Sequence, residues 1–390
     1  MSYYPAISFN DVIEGKVTDI YFKRTKEILE KEGLSNTRVV AEIHAYSLPQ
    51  GYNWAIIAGV HDVIKLLEGK GVNVYSLPEG TLFRPIHPVI NIEGIYSEFC
   101  IYETAILGIL RHLSSVATKA ARCKKVAGNK SILFFGTRSI HPFMAAAIDL
   151  AAFIGGCDGI SDIYGAQKLK IEPTGTMPHS LIVVMGDQVK AWKAFDKLMP
   201  ENVPRIALCD TWFDERVEAL MAAEALGARL HGVRFDTPGS RRGNMRRIVE
   251  EARWSLNVKG YSHIKIIVSG GIDEDDIVQL RDVADGFGIG TAIAFPPSVD
   301  LSMDIVEVEG EPRSKKGKLP SKKQVYRCWN CFEDYMVLAS HVMDKCPKCG
   351  FQLESMLKPM ILDGRIVYEE KSPQEVRSYV LKQLSLLKEP

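Results

Sequence analysis

His263 to Thr291 reads HIKIIVSGGIDEDDIVQLRDVADGFGIGT. An apolar run from His263 to Ser269 ends in Gly270-Gly271. An amphipathic stretch follows from Asp273 to Val283, and a second run, Ala284 to Ile289, ends in Gly290-Thr291. Apolar strands that do not alternate, separated by amphipathic helices, belong to a parallel sheet covered on its faces. The unit recurs upstream: Ile132–Phe135 with a helix from His141 to Phe153, Arg205–Asp210 with Phe213–Leu226, and Leu230–Phe235 with Asn244–Leu256. Five or six such units over about 165 residues predict an α/β fold that closes like a barrel rather than spreading as an open sheet.

The flanks differ. Residues 1–97 carry strand signals at Val39–His44, Gly71–Leu77 and Pro88–Ile92 and a helix at Trp54–Glu68, which predicts a separate α+β domain. Residues 98–127 read as one bridging helix and 128–300 as the barrel. Residues 301–325, rich in Lys, Pro and Gly, read as a basic linker. Residues 356–390 close the chain with strands at Met356–Tyr368 and a helix at Pro373–Leu387.

The 390-residue chain is long enough for several cores. Its 48 basic and 48 acidic residues cancel, which removes the electrostatic case for nucleic acid or an anionic membrane. No apolar stretch reaches the roughly 20 residues of a membrane helix. Met1–Pro5 lacks a basic region followed by an apolar run, so no leader is expected and a cytoplasmic protein is.

Residues 326–355 hold two CxxC knuckles, Cys328/Cys331 and Cys346/Cys349, with fourteen residues between them. Four thiolates in that spacing predict a closed tetrahedral zinc site that holds structure and does no chemistry; an iron centre or two disulfides are the alternatives. Cys100, Cys123, Cys157 and Cys209 are scattered in apolar contexts and read as small core residues of a reducing compartment.

Ligands of parallel α/β folds gather at the carboxyl ends of the strands. Those ends here are Gly136–His141, Cys209-Asp210-Thr211, Arg234-Phe235-Asp236, Ser269-Gly270-Gly271 and Gly288-Ile289-Gly290-Thr291. Two consecutive glycine-rich ends, each leading into a helix, predict a phosphate site made of backbone N–H groups and helix N-termini. Asp210 and Asp236 suit ribose hydroxyls, a magnesium ion or a developing positive charge, and Asp210 equally suits a helix cap. Arg138 suits bidentate binding of a carboxylate.

Together these residues carry a resemblance. Phe135–Pro142 (FGTRSIHP) resembles the segment after the first barrel strand of the nicotinate phosphoribosyltransferases, and Thr18-Asp19-Ile20-Tyr21-Phe22 resembles their N-terminal signature. Gly175-Thr176-Met177-Pro178-His179-Ser180 is similar to their Gly-Thr-x-x-His segment, and Arg234-x-Asp236 to their sugar-binding strand. The match spans roughly residues 9 to 300 and points to the type II phosphoribosyltransferases, in a short archaeal-type branch with a C-terminal zinc module.

The resemblance implies an irregular, incomplete (β/α) barrel that joins nicotinate to phosphoribosyl pyrophosphate, with Mg2+, in NAD salvage. It also implies an assembly of at least two chains with shared active sites. By the same resemblance Phe135 and a neighbouring subunit's Tyr21 sandwich the pyridine ring, while Arg138, Asp236 and His179 are the catalytic residues. Thr137, Ser139, His141, Ser161, Asp210, Arg234, Ser269, Gly270, Gly271, Gly288, Gly290 and Thr291 complete the substrate site.

Ser161 falls where nicotinamide-using relatives carry an aspartate, so the acid is accepted here; a one-residue slip onto Asp162 reverses that inference. His179 matches the histidine phosphorylated in members that couple the reaction to ATP, and a histidine that caps a helix or binds phosphate is the equal alternative. Thr237–Arg242 departs from the family's acidic run, which turns Arg241 or Arg242 toward phosphate and removes a metal role there. The rivals are a quinolinate or nicotinamide phosphoribosyltransferase and, more distantly, a zinc-ribbon nucleic-acid-binding protein.

Overall fold

The computed structural model describes residues 7–388. Met1 to Ala6, where no leader is expected, lie outside the described residues. Described residues up to Thr118 and from Pro297 onward form one compact unit, and Lys119–Pro296 form another.

The second unit holds six parallel strands: β1 (Ser131–Phe134), β2 (Gly159–Ile160), β3 (Ile206–Leu208), β4 (Gly232–Phe235), β5 (Lys265–Val268) and β6 (Gly286–Ile289). Their order is β2-β1-β6-β5-β4-β3. The last strand returns to pair with the first, Gly286 opposite Ser131 and Ile289 opposite Phe134, while the edges β2 and β3 stay unpaired. The barrel is therefore incomplete. Val233, Phe235, Ile266, Val268, Phe287 and Ile289 are fully buried, as strands covered on both faces require.

The helices between them are amphipathic: Met245–Val258 buries Met245, Val249, Ala252 and Leu256, one stripe at helical spacing. Asn244 caps it by accepting the N–H of Arg247. The two-residue strand β2 and the helices Ile163–Leu169 and Gln188–Leu198 were not legible as separate elements.

The first unit is built on a seven-stranded antiparallel sheet in which Leu301–Val308, Arg38–Ala45, Pro88–Ile95, Asn73–Ser76 and Lys358–Leu362 lie side by side. Its strands come from both ends of the chain. Residues 301–325, expected as a linker, are thus corrected: Leu301–Val308 pairs with Arg38–Ala45 from Leu301 opposite Ala45 to Val308 opposite Val39. The misreading has an electrostatic cause. Lysines that look solvated in sequence are ion-paired, Lys318 Nζ 2.8 Å from Asp304 and Lys323 Nζ 2.7 Å from the buried Glu42. Trp54 also departs from expectation. It precedes a short strand, Ala55–Ile56, and the helix begins only at Val60, after Gly59 at φ +90.

The helix Glu103–Ala127 has 25 residues. Among the described residues no helix is long and apolar enough to cross a membrane.

Candidate active site

β1 runs out at Phe134, and the chain passes through two single 3-10 turns, Thr137–Ser139 and Pro142–Met144, into the helix Ala145–Ile154. Phe135 still donates its N–H to the Ile289 carbonyl at 2.8 Å, so it leaves the sheet beside β6. Its ring covers Gly288: a Cβ built there would meet ring carbons Cε2 and Cδ2 at 2.5 and 2.6 Å. The guanidinium carbon of Arg234 stands 6.0 Å from the ring centroid. The Ser139 and Thr291 hydroxyls meet at 3.3 Å and join the loop after β1 to the turn after β6. Between these contacts Thr137 Oγ1 is buried without a hydrogen-bond partner. Arg138 is exposed, and no protein acceptor engages its guanidinium among the described residues.

The ends of β3, β4 and β5 form a polar cluster. Arg234 is buried and donates to Thr176 Oγ1 at 3.0 Å, to Ser269 Oγ at 3.1 Å and to the Met177 carbonyl at 3.0 Å. It binds the Gly175–Met177 segment to the end of β5. Ser269 donates in turn to Asp236 Oδ1 at 2.7 Å, and the Asp236 N–H donates to Asp210 Oδ2 at 2.6 Å. His179 opens the helix His179–Met185; its Nδ1 lies 3.1 Å from Thr211 Oγ1, and its Nε2 lies 3.7 Å from Asp210 and 3.8 Å from Asp236. Asp210 Oδ1, the oxygen nearest His179 Nε2, is buried without a hydrogen-bond partner. Burial holds this carboxyl above its ordinary range, against the pull of the Asp236 N–H and the Thr237 hydroxyl. An orphaned carboxylate oxygen beside a second acid accepts a cation or a sugar hydroxyl.

Several expectations change. The helix after Gly270-Gly271 starts at Glu274; Asp273 caps it by accepting the N–H groups of Asp275 and Asp276, and its first turn holds three acids. That terminus is occupied and negative, so it lacks the free donors and positive field expected for phosphate. The helix after Gly290 is a single turn, Thr291–Ala294. The glycines answer nearer needs: Gly270 sits at φ +84, where a Cβ would stand 2.6 Å from the Asp236 carbonyl oxygen, and one on Gly290 would stand 3.2 Å from that of Phe135. Arg242 is a brace: its guanidinium donates to the Gly270 and Thr237 carbonyls and lies 3.7 Å from Asp276. The cap of the helix Glu215–Leu226 is Asp214, which removes that reading of Asp210.

Asp162 is committed as a cap, its Oδ2 accepting the Gly165 N–H at 2.6 Å, while Ser161 donates its N–H to Phe134 at the end of β1. His141 accepts the Phe143 N–H at 3.4 Å and stacks on that ring. Tyr21 is exposed on the helix Ile20–Lys31 of the other unit, its hydroxyl 3.3 Å from Asp19.

Three residues of the cluster were not singled out from sequence. Thr237 lies 2.9 Å from Asp210 and 2.5 Å from Glu215, and the fully buried Glu218 accepts the N–H groups of Thr211, Trp212 and Phe213. The available signal was Glu218 on the face that also buries Ala219, Ala222 and Ala223. A fully buried carboxylate needs donors.

The four knuckle cysteines, all free thiols, come together with their sulfurs within 4.8 Å of one another. Cys328 and Cys349 are 3.4 Å apart and Cys331 and Cys346 3.6 Å. A tetrahedral ion bonded at ~2.3 Å separates its sulfurs by about 3.8 Å, whereas a disulfide requires about 2 Å. The donor set fits zinc. Gly350 at φ +74 turns the second knuckle; Phe332 at φ +58 does so in the first.

Two family profiles match in tandem: the quinolinate phosphoribosyl transferase N-terminal domain over residues 19–114 and the C-terminal domain of the same family over residues 116–304. The solved structure of a nicotinate-nucleotide pyrophosphorylase from Pyrococcus furiosus is 51% identical, with a TM-score of 0.97 over 99% of each chain. Human nicotinic acid phosphoribosyltransferase shares the fold at 21% identity and a TM-score of 0.75, over 95% of this chain and 94% of its own. A nicotinate phosphoribosyltransferase of Mycobacterium tuberculosis is 29% identical over 354 residues, 80% of this chain and 74% of its own.

Proposed function

This chain belongs to the quinolinate phosphoribosyl transferase family, and from that premise we propose that it is a nicotinate phosphoribosyltransferase, joining nicotinate to phosphoribosyl pyrophosphate and releasing pyrophosphate. The pyridine nitrogen is a neutral nucleophile and needs no general base. Loss of pyrophosphate leaves positive charge on the sugar, so the enzyme's work is alignment and charge stabilisation. In this reading Phe135 fixes the plane of the ring and Arg138 takes its carboxylate. Asp210 and Asp236 hold the ribose hydroxyls and the magnesium that accompanies pyrophosphate, and they face the developing charge. Tyr21 of a neighbouring subunit closes the ring site, and the ion held by Cys328, Cys331, Cys346 and Cys349 is structural zinc.

One observation carries the choice of substrate. Arg234 and Arg242 are spent on protein acceptors; of the two arginines left exposed at the strand ends, Arg241 lies beyond β4 and Arg138 shares the loop of Phe135, so Arg138 is the cation beside the ring site. One cation suits the single carboxylate of nicotinate; quinolinate carries two. The names of the Mycobacterium and human relatives agree with this reading. Quinolinate is the second reading, supported by the family to which both profiles belong and by the nicotinate-nucleotide pyrophosphorylase of Pyrococcus furiosus, 51% identical to this chain.

ATP coupling would add a phosphoryl group to His179, whose Nε2 faces Asp210 and Asp236. Purified protein with phosphoribosyl pyrophosphate and Mg2+ is offered nicotinate, nicotinamide or quinolinate, with and without ATP, and products are identified by mass. Nicotinate alone is expected to be consumed quickly. Faster use of quinolinate with release of carbon dioxide would overturn the assignment, and ATP consumed in step with product would establish the coupling.

A further inference from the structure

Asp149 lies on the helix Ala145–Ile154, which follows the Arg138 loop, and it is fully buried. Neither carboxyl oxygen accepts a hydrogen bond from a donor among the described residues. A buried carboxylate without a donor is so costly that the group stays neutral instead. Its neighbourhood shows what the neutral acid can do. The helix Ile163–Leu169 lies against Asp149 at Gly165, where a Cβ would collide with Asp149 Oδ2 and stand 2.9 Å from its Cβ. Gly165 is also the residue whose N–H is taken by Asp162 at 2.6 Å. Two carboxyl groups therefore converge on one glycine.

We propose that Asp149 is a positioning residue: as the neutral acid it donates its O–H to the Asp162 carboxylate and so holds the Ser161-Asp162 turn, at the end of β2, in the geometry that reads the pyridine substituent. The inference rests on the nicotinate reading of the site. The proton stays on Asp149 while shared; when it is lost to water, two carboxylates oppose each other. Burial first, then the Asp162 charge and the hydrogen bond to it, raise the Asp149 pKa from 3.8 to about 7. No other ionisable group faces it among the described residues. β1, β2 and the turn Pro142–Met144 hold none, and Lys168 on the packed helix is exposed with its Nζ over the Tyr164 ring.

The neutral form is present below pH 7 and is lost as pH rises through it. If that form alone binds well, the nicotinate KM rises about tenfold between pH 6 and 8, in inverse proportion to its population. Asp149→Asn keeps the size and a donor but cannot ionise, so its KM is expected to match wild type at pH 6 and stay flat to pH 8. Asp162→Asn keeps a capping oxygen without the charge and is expected to move the wild-type midpoint to lower pH. Infrared difference spectra of wild type against Asp149→Asn are expected to show a carboxylic acid band at pH 6 that fades by pH 8. Parallel pH profiles in wild type and Asp149→Asn, an unmoved midpoint in Asp162→Asn, or no acid band would overturn the proposal. If no nicotinate is turned over at any pH the functional reading fails, and the infrared band still decides where the proton sits.

Discussion

Gly288→Ala places a methyl group where the Phe135 ring lies, 2.5 and 2.6 Å from two of its carbons and 3.0 Å from the Ser269 Cβ. Real Cβ atoms do not approach so closely, so the ring must tilt away while the strand, paired to β1 and in ordinary extended conformation, stays in place. Overpacking of this kind costs ~1–3 kcal/mol when nothing yields. Here the half-buried ring yields, and the cost moves into lost stacking on the pyridine, ~0.5–1.5 kcal/mol. The nicotinate KM is therefore expected to rise about two- to twelvefold, at ~1.4 kcal/mol per decade. The KM for phosphoribosyl pyrophosphate should stay within twofold. Gly286→Ala on the same strand is the control, since its added carbon would lie 3.4 Å from Ser131, an ordinary contact. Steady-state kinetics with a thermal melt on both variants decide the matter. A folded Gly288→Ala enzyme with an unaltered nicotinate KM would refute the role of Phe135.

Arg138→Ala should raise the nicotinate KM by about ten- to a hundredfold, from ~1.5–3 kcal/mol for a charged hydrogen bond, with little change for phosphoribosyl pyrophosphate; equal loss for both substrates, measured by initial rates, removes its role as carboxylate reader. Metal analysis is expected to find one zinc per chain, lost in Cys331→Ser with a lower melting temperature; full stability without metal would contradict the module's structural role. Burial, with Lys318 next, depresses the His44 pKa to about 4, so the unfolded chain takes up the proton first as pH falls below about 6.5. Stability should thus decline by on the order of 3 kcal/mol between pH 6.5 and 4, and less in His44→Gln; identical pH dependence of denaturant unfolding in both would exclude this histidine as the cause.

Local pattern made much of this protein readable. Runs such as Ile264–Ser269 and Ala284–Ile289 must be strands because both of their faces are apolar, and the helices between them carry one apolar stripe. The paired CxxC spacing brings four sulfurs together whatever surrounds them. The resemblance singled out Phe135, Arg138, His179 and Asp236 by their order along the chain, and the structure sets Phe135 and Arg138 just after β1, Asp236 just after β4 and His179 at the start of the helix His179–Met185. Lys318 and Lys323 read as solvated in sequence, since composition cannot tell a solvated lysine from one whose charge meets a buried acid, here Asp304 of the same segment and Glu42 of a distant strand.

Sequence by itself determined the alternation of strand and helix, the paired cysteine knuckles and the identity of the strand-end residues, each a matter of neighbours along the chain. Tertiary structure alone decided that the last strand returns to the first, which arginines are spent on carbonyls, and that Asp149 meets Asp162 at Gly165. Those outcomes depend on which distant groups share a desolvated space, where an unpaired charge or hydrogen-bonding group is costly, and that cost is set in three dimensions.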